Sequence, residues 1–258
     1  MEKYVVLMAA LAAGSVQAWN PGCEYERELD ITLSVAGSER LAITAAAGDL
    51  EVTGHAGTSE ARVRGKLCSS EEEWLDQAKI QAEGGREASI IVTLPDTAKG
   101  WNWLGSRYVY MDLEITVPAG LALEIRDSSG DMKIKGTGAV AVQDSSGDVD
   151  IEETSGDVTL DDSSGDIDLL AIGGNVTVRR DSSGDIEGRR IEGAVRVEKD
   201  SSGDIRFENV AGDLVVERDS SGDIVADSIG GDFRVLQDGS GEIRSSGVTG
   251  RVEIPEQG

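Results

Sequence analysis

Hydrophobic and polar residues alternate with period two along short segments of the C-terminal half of this chain. The alternation is clearest where valines occupy every other position, as at Val176 and Val178 or at Val195 and Val197. Alternation of this kind, with β-branched residues at the apolar positions, is typical of β-strands. Ser-Ser-Gly or x-Gly bounds each segment, and glycine adopts the positive φ of a tight corner without a Cβ penalty. The pattern predicts many short strands joined at glycine corners.

A five-residue phrase, D-S-S-G-D, separates these strands at a fixed period. From Asp162 to Asp238, its first aspartate returns every 19 residues. A fixed period near 20 residues indicates an array in which each unit stacks on the one before. The intact copies lie at 127–131, 144–148, 162–166, 181–185, 200–204 and 219–223, and a degraded copy, D-G-S-G-E, lies at 238–242.

Each 19-residue unit carries apolar residues five, ten, fourteen and sixteen positions after its first aspartate, and a glycine at twelve. Two strands per turn predict an all-β fold, a right-handed β-solenoid in the form of a flattened β-helix with two main sheets. Its inward residues would stack in columns about 4.8 Å apart, one of them containing Ile186, Ile205 and Ile224. A sandwich-like variant is the alternative, whereas a propeller blade needs roughly twice this period.

The first two units are one or two residues shorter than the others. A strand cannot lose a single residue, because a one-residue slip turns its inward face outward. The missing residues are therefore expected beside the corners, after the last inward residue (Val142, Leu160) or before the second glycine (Gly138).

Residues 1–18 have the composition of a secretory signal peptide, with Lys3, an apolar stretch from Tyr4 to Ala13, and a small-residue cleavage site at 16–18. This stretch is too short to span a membrane. We therefore expect an exported mature chain, periplasmic or at the cell surface, without a membrane span. Residues 19–120 are expected to form a β-rich cap with the first solenoid strands, and residues 121–258 the repeat solenoid.

The N-terminal region does not repeat visibly, but parts of it carry local signals. Ala47–Val52 already contains the Gly-Asp-aliphatic phrase, so the solenoid is expected to begin there. Ser70 and the glutamates after it have capping-box spacing, which predicts one short helix to about Lys79. Ala88–Leu94 and Met111–Val117 alternate as strands. A solenoid end exposes unpaired backbone, so this region is expected to cap one end, and the weakly capped C-terminal rung is open to self-association.

The entry to the repeats has a Val-Pro-x-Gly hinge (Val117, Pro118, Gly120), followed by serial G-D-I-x-x and G-x-V-x-V strands. With these features, residues from about 40 to 258 resemble the bacterial DUF4097 family of adhesin-like domains. The resemblance implies an exported β-solenoid, and the family has no established catalytic residues to carry over. This chain is richer in aspartate than the general family pattern.

Composition argues against several classes of function. The formal net charge of −25 argues against nucleic acid and anionic membranes, whose binding depends on basic patches. The single histidine, His55, rules out histidine-based metal clusters and follows Gly54 near a predicted turn. We expect no enzyme but a scaffold that binds an unknown protein or polysaccharide partner through an extended face, without a cofactor.

Stacking would align the aspartates of the phrase in two files, one from its start and one from its end. Neighbouring carboxylates about 4.8 Å apart repel by about 3.5 kcal/mol at an effective dielectric of 20. We expect serine hydroxyls, corner N–H groups and the basic residues before each phrase to offset this repulsion. The first file is Asp127, Asp144, Asp162, Asp181, Asp200, Asp219 and Asp238; the second is Asp131, Asp148, Asp166, Asp185, Asp204, Asp223 and Glu242; the basic residues are Arg126, Arg180, Lys199 and Arg218.

A divalent cation between rungs is the alternative, because carboxylate and carbonyl oxygens are the ligands that Ca²⁺ prefers. The protein would then be a Ca²⁺-binding repeat protein whose stability depends on the ion. The motif differs, however, from the G-G-x-G-x-D repeat of calcium-binding β-rolls. The candidate ligands are Asp162, Asp166, Asp181, Asp185, Asp200, Asp204, Asp219 and Asp223.

Two further groups are candidates for structure or binding. Cys23 and Cys68 are expected to form a disulfide in an oxidising compartment, the alternative being two unrelated buried thiols. Trp101 and Trp103 lie in an aromatic loop. Such a loop either binds a carbohydrate or protein, or covers core residues at one end of the solenoid.

Overall fold

The computed structural model describes residues 23–96 and 107–255, which form an all-β solenoid with one short helix. The predicted signal peptide at 1–18 lies outside these residues. The first part contains β1 Tyr25–Ser34, β2 Arg40–Thr44, β3 Leu50–His55, β4 Glu60–Ser69, α1 Glu72–Gln77, β5 Lys79–Glu83, β6 Ala88–Thr93 and β7 Val109–Pro118. The repeats contain β8 Ala122–Arg126, β9 Met132–Lys135, β10 Val140–Gln143, β11 Val149–Glu152, β12 Val158–Asp161, β13 Ile167–Ile172, β14 Val176–Arg180, β15 Ile186–Ile191, β16 Val195–Val197, β17 Ile205–Val210, β18 Leu214–Val216, β19 Ile224–Ile229, β20 Phe233–Val235, β21 Ile243–Ser246 and β22 Val252–Glu253.

Within the described residues, the strands form two sheets of 11 strands each. Sheet A has the order β1-β4-β7-β3-β9-β11-β13-β15-β17-β19-β21, and sheet B has the order β22-β20-β18-β16-β14-β12-β10-β8-β2-β6-β5. Successive strands of the repeats alternate between the sheets, and neighbours within each sheet are parallel. The expected two-sheet solenoid is therefore present.

The predicted inward columns form the core. Ile205 lies opposite Ile186 on one side and Ile224 on the other, and all three are 0% exposed. A further inward column, which is absent from the predicted pattern, contains Gly188 and Phe207 side by side. A Cβ on Gly188 would lie 2.3 Å from Phe207 Cε1, so this glycine makes room for the ring.

Differences in rung length are absorbed beside a corner, as predicted for Leu160. In the pairing of β12 with β14, Leu160 lies opposite Val178, but Asp161 lies opposite Arg180. The longer strand therefore has a β-bulge directly after its last inward residue. The bulge adds a residue without reversing either face of the strand.

The N-terminal end departs from sequence order. β2 and β3 form the rung of the Gly48-Asp49 phrase, as expected, and lie against β8 and β9 of the repeats. On their other side, β6 and β7 pair with them in parallel, so residues 88–118 form the rung that precedes residues 40–55 in space. Antiparallel β1 and β4 then extend sheet A, and antiparallel β5 extends sheet B. These strands and α1 cover this end.

The predicted capping box of the helix is wrong. The N-cap of α1 is Glu71, which makes no side-chain cap hydrogen bond. Ser70 Oγ instead accepts the N–H of Tyr108 at 3.2 Å, and Ser69 Oγ accepts the N–H of Glu71 at 3.0 Å. The serine expected to cap the helix is committed to a tertiary contact.

The C-terminal end has no comparable cover among the described residues. β21 and β22 are the last strands of their sheets, and Val252 and Ile254 are 46% and 47% exposed. In the described part of the chain, no helix is long and apolar enough to cross a membrane.

Candidate functional site

The Ser-Ser-Gly corner brings successive rungs into backbone contact. Gly203 has a φ of 128°, and a Cβ there would lie 1.8 Å from the carbonyl oxygen of Gly184. The same glycine of each intact copy has a positive φ. Because neither the angle nor the space admits a side chain, the corner positions the two aspartates of each phrase with little freedom.

The second file is a hydrogen-bonded ladder at the solenoid edge. Its carboxylate oxygens accept backbone N–H groups from the next acidic residue of the file, at 2.8–3.2 Å. The ladder extends below the repeats, since Asp49 Oδ1 accepts the N–H of Asp131 and Asp112 Oδ1 accepts the N–H of Asp49. Each carboxylate thus joins two rungs and receives a charge-assisted hydrogen bond.

A second ladder at the opposite corner was not predicted. Asn175 N–H donates to Asp157 Oδ1 at 2.7 Å, and Ala194 N–H donates to Asn175 Oδ1 at 2.9 Å. Asp213 and Asp232 repeat the arrangement further along. The signal was available in the sequence, because Gly-Asp recurs in the second half of several units.

The first file is buried, and this was not expected. Six of its seven members are almost without solvent contact, and only Asp238, in the degraded copy, is half-buried. The exposed fractions of the six are Asp127 7%, Asp144 3%, Asp162 1%, Asp181 0%, Asp200 0% and Asp219 1%. Three of them accept an N–H from the following serines, at Asp181, Asp200 and Asp219. Oδ2 of each of these three has no hydrogen-bond partner of standard geometry.

The expected neutralisation of the first file by basic residues is wrong. Arg126, Arg180, Lys199 and Arg218 are all exposed. Arg180 pairs with Asp161 at 2.9 Å, and Arg126 with Glu124 at 2.7 Å. Consecutive residues of an extended chain point to opposite faces, so the residue before an inward aspartate points outward. The serine hydroxyls also differ from expectation, since Ser202 Oγ donates to the carbonyl of Ser182 rather than to a carboxylate.

Burial dominates the acid–base behaviour of the first file. Burial, and after it the charge of neighbouring Asp181, raises the pKa of Asp200 to about 7. Burial and then Asp162 raise the pKa of Asp181 to about 6. The pKa of Asp127 is likewise raised by burial to about 7, and that of Asp162 to about 6.

The eight aspartates of the calcium hypothesis divide between the two files. Asp162, Asp181, Asp200 and Asp219 are buried, whereas Asp166, Asp185, Asp204 and Asp223 lie at the edge ladder. Among the described residues, no three carboxylate, thiol or imidazole groups lie close enough together to hold a metal ion. Ca²⁺ binding therefore stays a hypothesis for experiment.

The remaining candidates lie near the capped end. Cys23 and Cys68 form a disulfide, with their Cα atoms 5.6 Å apart. Trp101 and Trp103 lie outside the described residues. Tyr108, just after them, accepts the N–H of Glu24 with its hydroxyl at 3.1 Å. His55 ends β3 and is exposed, as expected for a turn histidine.

Comparison with known proteins gives a family and several solved structures that match this chain. A family model described as Toastrack DUF4097 matches residues 26–254. No curated protein matches the chain. A candidate cell adhesion protein from Clostridium sporogenes ATCC 15579 is 14% identical over 89% of this chain and 99% of its own, with a TM-score of 0.31. A candidate lipid-binding protein from Parabacteroides distasonis ATCC 8503 is 13% identical over 90% and 98%, with a TM-score of 0.43. A candidate adhesin from Bacteroides fragilis NCTC 9343 is 10% identical over 90% and 98%, with a TM-score of 0.37.

Proposed function

This chain belongs to the Toastrack DUF4097 family, and we propose that it is an exported, non-enzymatic scaffold that binds a protein or polysaccharide through an extended face. The family assignment rests on a match over residues 26–254. The proposal of a binding role rests on the surface of sheet B.

A shallow groove on the outer face of sheet B is the observation that carries this proposal. The groove has a volume of about 380 Å³. It passes over Ala141 and Thr159, which lie opposite each other on neighbouring strands. Guanidinium, amide and carboxylate groups hydrogen-bond the hydroxyl and carbonyl groups of an extended polymer. These groups line the groove at Glu124, Arg126, Gln143, Asp161 and Arg179.

The placement of the carboxyl groups supports binding over catalysis. Hydrolases of glycosidic bonds use one pair of carboxyl groups on either side of the scissile bond. Here the carboxyl groups recur in files along the corners, and the second file uses its oxygens on backbone N–H groups. A repeated structural ladder leaves no single pair distinguished for acid–base work.

Export is supported by the composition of residues 1–18 and by the disulfide. Disulfides persist in oxidising compartments such as the bacterial periplasm and the cell surface. The Cys23–Cys68 bond therefore fits a chain that leaves the cytoplasm. N-terminal sequencing of the protein recovered from the periplasm or culture medium is expected to begin at Trp19; recovery only from the cytoplasm, uncleaved, would contradict export.

Binding is tested with glycan and peptide arrays, followed by calorimetric titration of the strongest binder. Ala141→Trp fills the floor of the groove from an exposed position and is expected to weaken binding at least about tenfold, since it removes the space for the polymer. Val225→Trp places the same ring on the outer face of sheet A and serves as the matched control, with unchanged affinity expected.

Two results would contradict the proposal. Loss of binding in the Val225→Trp variant with full binding in the Ala141→Trp variant would place the interaction on the other sheet. Release of fragments from the bound polymer would show that the protein is an enzyme.

A further inference from the structure

The first file accounts for all of the buried ionisable side chains in the described part of the chain. Six aspartates, from Asp127 to Asp219, stack on successive rungs with at most 7% exposure. Stacked positions on neighbouring strands lie about 4.8 Å apart. The file is therefore a continuous column of carboxyl groups in the interior.

Several oxygens of this column lack hydrogen-bond partners. Both carboxyl oxygens lack a hydrogen-bond partner of standard geometry in Asp127, Asp144 and Asp162. Oδ2 lacks such a partner in Asp181 and Asp200. A buried polar atom without a partner is costly, and a buried carboxylate without a counter-charge is costlier still. The column as fully ionised carboxylates would be unstable.

We propose that the buried aspartate file is a proton-binding column, and that the stability of the solenoid therefore depends on pH. Protons bound along the file convert carboxylates into O–H donors, each of which can donate to an oxygen of the next rung. Carboxyl groups that cannot all ionise share protons in this way in aspartic proteases.

The charged groups that act on the pKa values of the file are acidic, so none of them replaces the proton. Besides neighbours in the file, Asp49 raises the pKa of Asp127 and Asp161 raises that of Asp162. Asp166 raises the pKa of Asp181, and Asp238 raises that of Asp219. Backbone N–H groups of the corner serines donate to Asp181, Asp200 and Asp219, but they carry no full charge.

The direction of the pH dependence follows from the acid–base behaviour of the file. An aspartate in an unfolded chain has a pKa near 3.9, whereas the pKa of Asp181 is raised to about 6 and that of Asp200 to about 7. Between about pH 4 and pH 7 the folded state thus binds more protons than the unfolded state. The stability that the protonated file contributes is fully present below the pKa of aspartate in the unfolded chain. It falls as pH rises through this window and levels off above it.

Melting temperatures of the mature protein from pH 4.5 to pH 8.5, with its disulfide intact, test the proposal. We expect the melting temperature of the wild type to fall by at least about 5 °C between pH 5 and pH 8. A first-file variant carrying Asp162→Asn, Asp181→Asn, Asp200→Asn and Asp219→Asn should lose most of this fall and melt above the wild type at pH 8. Asparagine keeps the shape of the protonated acid and supplies the N–H donor at every pH.

A second-file variant is the matched control for net charge. It carries Asp166→Asn, Asp185→Asn, Asp204→Asn and Asp223→Asn, the same number of charges removed at the edge ladder. The fall between pH 5 and pH 8 should persist in this variant, because the buried column is intact. If the fourfold first-file variant does not fold, Asp200→Asn alone should still reduce the fall.

Infrared spectroscopy gives a direct readout of the bound protons. At pH 6 the folded wild type should show the C=O stretching band of protonated carboxyl groups, and the first-file variant should show a weaker band. Absence of the band in the wild type, a melting temperature that is flat or rises from pH 5 to pH 8, or equal falls in the two fourfold variants would each overturn the proposal.

Calcium provides the last arm of the test. If the column binds protons, neither millimolar Ca²⁺ nor, in a separate sample, EDTA changes the melting temperature of the wild type at pH 7. A Ca²⁺-dependent rise that is lost in the first-file variant would overturn the proposal, because a ligand that binds only the folded state stabilises it by mass action. The file would then hold metal ions instead of protons.

Discussion

At the scale of single residues, a strained backbone position recurs nine residues after the first aspartate of each unit. Residues with side chains adopt a positive φ there in five consecutive rungs, at a cost of about 1–2 kcal/mol each relative to ordinary backbone. The sequence gives no sign of this, because the residue types have nothing in common. They are Glu153 (55°), Ala171 (56°), Arg190 (58°), Asn209 (59°) and Ser228 (58°), while Gly136 and Gly247 occupy the same position in the outer rungs.

Replacing one of these residues with glycine should stabilise the protein. Arg190→Gly is expected to raise the free energy of unfolding by up to about 1 kcal/mol, because relief of the left-handed strain exceeds the added entropy of the unfolded chain. Arg189→Gly is the control, since Arg189 lies in β15 without a positive φ. It should lower the free energy by about 0.5–1 kcal/mol. Urea denaturation measures both, and equal effects would contradict the assignment of strain to position 190.

At the scale of elements, the strands of sheet B carry one of the differences in rung length, and the corner before Gly138 carries the other. In the short rungs one residue separates the last inward residue from the buried aspartate, as Gln143 separates Val142 from Asp144. In the 19-residue rungs two residues do so, as at Arg179 and Arg180, and the register shifts there. The extra residue lies on the outside, so the rung can contain it or lack it.

Single-residue deletions test this property. Deletion of Arg179 converts a long rung into a short one, and we expect the variant to fold with a melting temperature within a few degrees of the wild type. Deletion of Glu187 removes a residue from the middle of β15 and should reverse the faces of the residues after it, placing inward side chains in solvent. Circular dichroism melts should show a cooperative transition for the first variant and none for the second. Similar behaviour of the two would contradict the bulge.

At the scale of the whole molecule, the two ends of the solenoid differ. Antiparallel strands and α1 cover the N-terminal end, and the Cys23–Cys68 disulfide ties the chain before β1 to β4. At the other end β21 and β22 are edges with exposed Val252 and Ile254. Parallel edges that no described residue covers expose N–H and C=O groups with which a further strand can pair.

A second copy of the chain is the partner we expect at this end. A two-fold axis across the end brings identical edges together as antiparallel strands, which pair without any change in the rung. Light scattering should show a concentration-dependent dimer that strengthens with salt, since the net charge of −25 opposes association. Val252→Lys with Ile254→Lys should abolish it. Ile91→Lys, at an apolar residue 38% exposed on another surface, should leave it intact; the opposite ranking, or a monomer throughout, would contradict the prediction.

Most of the fold could be predicted from local patterns in the sequence. The recurrence of Ile186, Ile205 and Ile224 at constant spacing predicted a buried column, and the glycine of the phrase predicted a corner with positive φ. Both depend on short-range rules, namely the period of a strand and the missing Cβ of glycine. The helix cap failed because Ser70 bonds to Tyr108, 38 residues away.

The sequence alone predicted only part of the candidate site. The repeat itself determined that the aspartates stack in two files, and that one of them can bond to corner N–H groups. In the short rungs, alternation continues from Val142 to Asp144 and already turns the first file inward. In the 19-residue rungs the tertiary structure decided this, because the bulge after residues such as Val178 breaks the alternation just before Asp181. The tertiary structure also decided the order of the rungs. Residues 88–118 precede residues 40–55 in space because segments distant in the sequence pair with each other. Packing, and not a local pattern, sets these pairings.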